Sequence, residues 1–207
     1  MKNAKKIHIV DYGLGNIASV VNMFKKLGVG TVVTSDPKEL LKSDKVLLPG
    51  VGAFGASMGR IDTGSLTDIL KEKAIIHQVP FLGICLGMQL LASGSEESPG
   101  VQGLGLIPGN TLRFPQRRKL KVPHMGWNYV SVVNPNNLTK GILPDSRFYF
   151  VHSYRVVVEN PDSRMLATSY GNYFDSGICN GNIFGVQFHP EKSHKFGAAL
   201  LRSFAEI

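Results

Sequence analysis

Three short stretches hold the residue types of acyl-transfer chemistry. In the first, Gly83-Ile84-Cys85-Leu86-Gly87, an apolar run ends in a cysteine between two glycines, and a helix-like pattern follows. The pattern G-x-C-x-G is the thiol version of a nucleophile elbow. Its glycines permit a tight strand-to-helix turn that pushes the side chain outward. The N-terminus of the following helix lowers the thiol pKa and offers N–H groups to a developing oxyanion. A free cysteine is more often a small buried hydrophobe, but that role needs no flanking glycines. The second stretch, FGVQFHPEKS, sets His189 and Glu191 two residues apart. In a strand that spacing turns both side chains to one side, across Pro190. His189 then takes and returns a proton while Glu191 fixes its tautomer and stabilises its charged form. Of the six histidines only His189 has a carboxylate two residues away. The third stretch, LLPGVGAFG, carries Gly50, Gly52 and Gly55, where a plain turn accounts for only one glycine. Here backbone amides come close to a reacting carbonyl. Because glycine tolerates backbone angles closed to other residues, Gly50 and Gly52 would let the Val51 peptide turn its N–H toward or away from an oxyanion.

These stretches need elements that bring them together. KKIHIVDYG, GTVVTSD, DKVLLPG and VPFLGIC read as strands. Between them NIASVVNMFKKLG, PKELLKS and a segment from Ala56 to Ile76 have helical spacing, and LGMQLLASG continues as a helix after Cys85. Strand–helix alternation with near-continuous apolar strands predicts an α/β fold with a parallel sheet covered on both faces. Cys85 then falls at the carboxyl end of a strand, where such sheets bind ligands. The second half has short β-rich runs: GLGLIPGNTLRF, VPHMGWNYVSVV, RFYFVHSYRVVVE, RMLATSYG, FDSGICNG and NIFGVQFHPE. A final helix, HKFGAALLRSFAEI, follows them. The expectation is one domain over 1–207: a doubly wound, mainly parallel sheet with an antiparallel β extension.

Composition narrows the class. The chain has 207 residues, enough to bury a full core, with 43% hydrophobic and 18% charged residues. Only two cysteines occur, Cys85 and Cys179, which argues against a secreted disulfide scaffold and for a reducing compartment. The apolar stretch in MKNAKKIHIVDYG is too short for a signal peptide and runs into Asp11. No segment reaches the ~18 apolar residues of a membrane span. A cytoplasmic protein without membrane association is therefore expected. The net charge of +8 has one dense basic stretch, from Arg113 to Lys121, and no nucleic-acid motif accompanies it. It reads as a solvated face or a protein docking surface, with no nucleic-acid partner.

The motifs GICLGMQLL and GVQFHPEKS resemble those of the class I, triad-type glutamine amidotransferases, which hydrolyse glutamine to glutamate and ammonia. VDYGLGN, LPGVGAFG, PHMGWN and FYFVHSYR are similar to stretches of the glutaminase subunits of imidazole glycerol phosphate synthase, in histidine biosynthesis. The likeness runs from Ile7 into the final helix, with all six motifs in order. It implies the flavodoxin-like fold of that class, glutamine as substrate, no cofactor or metal, and a cyclase (β/α)8-barrel subunit as heterodimer partner. By position it implies Cys85, His189 and Glu191 as the triad and the Val51 and Leu86 backbone as the oxyanion hole. Gly50, Gly52, Gln89, Ser153 and Tyr154 would hold the substrate, and Glu97, beside Glu96, would meet its amino group. Asn16, Trp127, Asn128, Tyr149 and Lys192 would face the partner. Ala18 stands where the family often has arginine. The tail EKSHKFGAALLRSF is also similar to a paralogous group feeding ammonia to a sugar-modifying enzyme of surface polysaccharide synthesis.

Two other readings compete. Gly13-Leu14-Gly15-Asn16-Ile17-Ala18 fits G-x-G-x-x-G/A after a strand, with Asp36 placed as a ribose-binding acid. An NAD(P)-binding oxidoreductase would leave Cys85, His189 and Glu191 without a purpose. A non-catalytic scaffold acting through its basic surface would not need all three triad residue types.

Overall fold

The computed structural model describes residues 6–115 and 120–207. Residues 1–5, and 116–119 of the basic stretch, lie outside the described residues. The first half alternates as its patterning predicts. Strands β1 (Ile7–Val10), β2 (Thr31–Thr34), β3 (Val46–Gly50) and β4 (Phe81–Cys85) are separated by helices α1 (Ile17–Lys26), α2 (Pro37–Leu41), α3 (Phe54–Thr63) and α4 (Leu66–Lys71). The helical segment read from Ala56 to Ile76 begins earlier, at Phe54, and is broken. Gly64 caps α3, Ser65 takes a left-handed φ of 54°, and α4 continues into a π-helical turn, Glu72–Ile76. Asp36 caps α2 by accepting from Lys38 N–H at 2.9 Å. That bond gives its carboxylate a structural task.

After Cys85 comes α5 (Leu86–Leu90), shorter than the sequence suggests. The Leu91 and Ala92 amides tighten onto carbonyls three residues back. The chain then leaves to form β5 (Gly94–Ser95), which pairs with β6 (Gly109–Arg113). The β-rich half continues with β7 (His124–Tyr129), β8 (Ser131–Val132), β9 (Arg147–His152), β10 (Tyr154–Val158), β11 (Arg164–Tyr170), β12 (Asn172–Asn180) and β13 (Ile183–Val186). The run RFYFVHSYRVVVE is two strands in two different sheets, parted at Ser153, whose carbonyl takes the Phe114 N–H. Helix α6 (His194–Glu206) ends the order.

The main sheet runs β2-β1-β3-β4-β13-β12-β11-β8. Its first five strands pair in parallel, and β12, β11 and β8 add antiparallel ones. Although it comes late in the chain, β13 therefore sits in the middle of the sheet beside β4. Two apolar clusters cover the sheet: one includes Phe54, Met58, Leu70 and Met88, the other Phe24, Phe148, Phe188 and Phe204. Burying such side chains contributes about 1.5–3 kcal/mol each, which fixes the register that the site depends on. Among the described residues no helix is long and apolar enough to cross a membrane.

Candidate active site

The site lies at the carboxyl ends of three adjacent parallel strands. Register sets Gly50 opposite Cys85 and Val186 opposite Ile84, so β3, β4 and β13 all deliver their next residues to one place. Cys85 has φ 55° and ψ −111°, a conformation that costs a non-glycine residue of order 1–3 kcal/mol. The turn is held from outside. A Cβ at Gly87 would lie 1.9 Å from the Leu48 carbonyl oxygen, so only glycine allows α5 to start this close to β3. The first-turn amides of α5, that of Leu86 among them, have no intrahelical acceptor.

The His189–Glu191 pair forms, but not by strand geometry. β13 ends at Val186, His189 precedes a 3-10 turn (Pro190–Lys192), and Glu191 curls back within that turn. His189 Nδ1 meets Glu191 Oε1 at 2.8 Å, with side-chain exposures of 3% and 2%. Pro190 presets the turn through its fixed φ, and Ser193 Oγ donates to the His189 carbonyl at 2.6 Å. His189 Nε2 has no full hydrogen bond and lies beside the Cys85 thiol, as catalytic pairs often stand apart before substrate arrives. Burial works against its charge, yet Cys85 and Glu191 overcome it and raise His189 to about 10.

A pocket of about 380 Å³ opens over these groups. Cys85, His189, Leu86, Val51 and Gly52 line one side, with Gln89, Glu97, Ser153 and Tyr154 around them. Pro123, Val151 and His152 complete the wall, and the sequence had not singled them out. Glu191 stands behind His189. Glu97 Oε2 accepts from the Phe54 N–H at 2.8 Å, which ties it to the start of α3. Its neighbour Glu96 is turned away onto the Arg113 N–H.

Gly50 and Gly52 differ from the expectation that both supply backbone freedom. Gly52 has φ 101° and open space around it. Gly50 needs room: a Cβ there would stand 2.6 Å from Gly87 N and 2.9 Å from the Tyr12 hydroxyl. Tyr12 itself donates to the Pro49 carbonyl at 2.8 Å.

Two histidines line the pocket with opposite character. His152 Nδ1 donates to the Tyr154 carbonyl at 2.7 Å, so its Nε2 accepts from His124 Nδ1 at 3.0 Å. Burial lowers His152 to about 3, and lowers His124 to about 4. Near neutral pH the pocket's imidazolium is therefore His189. Among the described residues no group of three or more His, Cys, Asp or Glu side chains could hold a metal ion.

Of the residues expected to face a partner, three gather outside the pocket. Trp127 stands edge-on to Tyr149 at 6.2 Å, and Lys192 Nζ lies 6.0 Å above the Tyr149 ring. Trp127 also stacks on His194 at 5.4 Å and is 44% exposed. Asn128 points to the other face of β7, donating to the Ser169 carbonyl at 2.9 Å and contacting His124. Asn16 lies at the start of α1 with no side-chain capping bond.

The model of the family "Glutamine amidotransferase class-I" matches residues 8–206. The chain is 47% identical to imidazole glycerol phosphate synthase subunit HisH 2 of Methanococcus maripaludis, over 96% of this chain and 98% of that one. It is 48% identical to subunit HisH of Methanothermobacter thermautotrophicus, over 97% and 98%. A glutamine amidotransferase structure from Thermotoga maritima superposes with a TM-score of 0.69 at 18% identity, covering 99% and 97%, a likeness of fold.

Proposed function

We infer, since the chain belongs to the class I glutamine amidotransferase family, that its pocket hydrolyses glutamine to glutamate and ammonia. The whole chain is read as one glutaminase domain. The observation that carries this reading is the strained Cys85 elbow sharing one pocket with His189, which Glu191 backs from behind. The Cys85 thiolate attacks the side-chain carboxamide carbon of glutamine, and a C–S bond forms. Backbone amides of Val51 and Leu86 receive the oxyanion. The tetrahedral species collapses as the C–N bond breaks, and His189 gives its proton to the departing nitrogen, which leaves as ammonia. Water then attacks the thioester while His189 takes a proton. The C–S bond breaks, glutamate leaves, and the thiolate is restored. Glu191 holds the imidazolium throughout. Gln89, Glu97, Ser153 and Tyr154 hold the amino-acid end of the substrate.

The full-length likeness to synthase subunits supports a more specific role: the glutaminase subunit of imidazole glycerol phosphate synthase. Its ammonia passes to a cyclase (β/α)8-barrel subunit that forms imidazole glycerol phosphate and AICAR in histidine biosynthesis. Exposed Trp127 and Lys192, with the half-buried Tyr149 against both, form the docking face in this reading, together with Asn16 at the start of α1. A cytoplasmic location follows from that biosynthetic role. The test is glutamate release by the purified chain mixed with the cyclase subunit of its own organism. Release coupled to imidazole glycerol phosphate formation is expected. Coupling to a sugar amidotransferase instead would reassign the pathway, and no release with either partner would remove the glutaminase assignment.

A further inference from the structure

The strand that brings His189 to the pocket brings a second group to the sulfur. Register sets Val186 beside Ile84, so the following residue, Gln187, comes level with Cys85. Its backbone N–H is tied to the Ser176 carbonyl at 2.9 Å, and the residue is 0% exposed. Its side chain has two partners: Nε2 donates to Cys85 Sγ at 3.8 Å, and Oε1 accepts from Gln89 Nε2 at 3.2 Å. A buried carboxamide costs stability unless its groups are bonded, and here the donor is spent on the reacting atom.

Resting on the glutaminase reading above, we propose that Gln187 is a positioning residue for Cys85, holding the sulfur through a neutral N–H donor distinct from His189. The two donors differ in what happens to them during turnover. His189 gives up its proton to the leaving nitrogen, whereas the Gln187 carboxamide is too weak an acid to transfer its N–H proton and stays a donor in every step. A thiolate accepts such a bond more strongly than a thioester sulfur does. The bond is therefore strongest when Cys85 is free and again when deacylation returns the charge to sulfur.

The same bond sets the polarity of its neighbours. A thiolate can only accept, so Gln187 must turn Nε2 to it and Oε1 to Gln89. Gln89 then uses its N–H groups on Gln187 Oε1 and on the Tyr154 carbonyl, at 3.4 Å. The remaining Gln89 carbonyl is an acceptor, suited to N–H groups of the substrate and unfavourable to a carboxylate.

The test is the pH profile of Cys85 alkylation by iodoacetamide, read by peptide mapping in the full chain. The variant is Gln187→Met, which keeps volume and removes the donor. The charged and titratable groups around Cys85 are His189 and Glu191 after β13, Tyr12 after β1, and Glu97 and His152 across the pocket. The variant leaves all of them in place. Losing one hydrogen bond to a charged acceptor should move the midpoint up by about one pH unit and lower glutaminase kcat with the partner about tenfold. An unchanged midpoint in folded Gln187→Met would overturn the proposal. In the unaltered chain, the Gln187 side-chain NH2 resonance should titrate with the alkylation midpoint, and a resonance that ignores it would equally overturn the proposal. Cys85 that resists alkylation at every pH would instead strike at the nucleophile assignment.

Discussion

With Cys85 replaced by alanine, glutamine-dependent turnover is expected to fall by ~10⁴ or more, while synthesis from added ammonium salts persists in the assembled complex. The variant keeps the pocket and the lining groups proposed to hold substrate but has no atom to form the C–S bond. Alanine removes only the sulfur from a side chain that is 6% exposed, so the elbow survives. His189→Ala should behave alike, because no other imidazole in the pocket is available to replace it. His152 is held near pKa 3 and keeps its proton on Nδ1 for the Tyr154 carbonyl. Glu191→Gln should be milder, since it orients and stabilises without transferring a proton. The Cys85→Ala, His189→Ala double variant should match the worse single one, as members of one catalytic unit are not additive. The assays are glutamate release and product formation from glutamine and from ammonium. Substantial glutamine-dependent turnover in Cys85→Ala would contradict the mechanism.

The second large effect is control by the partner. The chain alone should release glutamate slowly, and partner with its ligand should raise the rate by about 10²–10³, the value of one oxyanion donor. Val51 sits at the pocket edge, 38% exposed, beside Gly52 at φ 101°. Such an angle costs an alanine about 1–3 kcal/mol, although its methyl would have space. Gly52→Ala should therefore hinder any turning of the Val51 peptide and reduce the ratio of stimulated to basal rate. Gly50→Ala should act differently. Its methyl would press on Gly87 and Tyr12, disturbing the elbow and lowering both rates together. Glutamate release with and without partner measures this. Full activity of the isolated chain would remove the switch and leave the triad standing.

What could be read in advance depended on how local each feature was. The Cys85 elbow was legible because its glycines lie within two residues, and close approach is the reason they are glycines: Gly87 is pressed against the backbone of β3, and Gly83 against that of Gly87 and Met88 in α5. The partnership of His189 and Glu191 was legible for the same reason. The turn that makes it was not, because the end of β13 is set by where pairing with β12 and β4 stops. Gln187 carried a signal, a carboxamide inside the apolar run from Ile183 to Phe188. Its meaning required the insertion of β13 beside β4, a pairing of residues about a hundred positions apart that no local pattern records. Gly50 and Gly52 look alike in sequence, and only tertiary packing separates room from conformation. The short α5 likewise reflects capture of Gly94–Ser95 by β6.

Covalent mapping shows directly whether Cys85 is the nucleophile. The full chain, with its partner present, is treated with 6-diazo-5-oxonorleucine, a glutamine-shaped electrophile, and digested for mass spectrometry. Cys179 serves as the internal control: burial pushes its thiol up to about 11, and it donates to the Gly181 carbonyl. One adduct is expected, on Cys85, blocked by excess glutamine and accompanied by loss of glutamate release. An adduct on Cys179 alone, or equal labelling of both cysteines, would contradict that assignment.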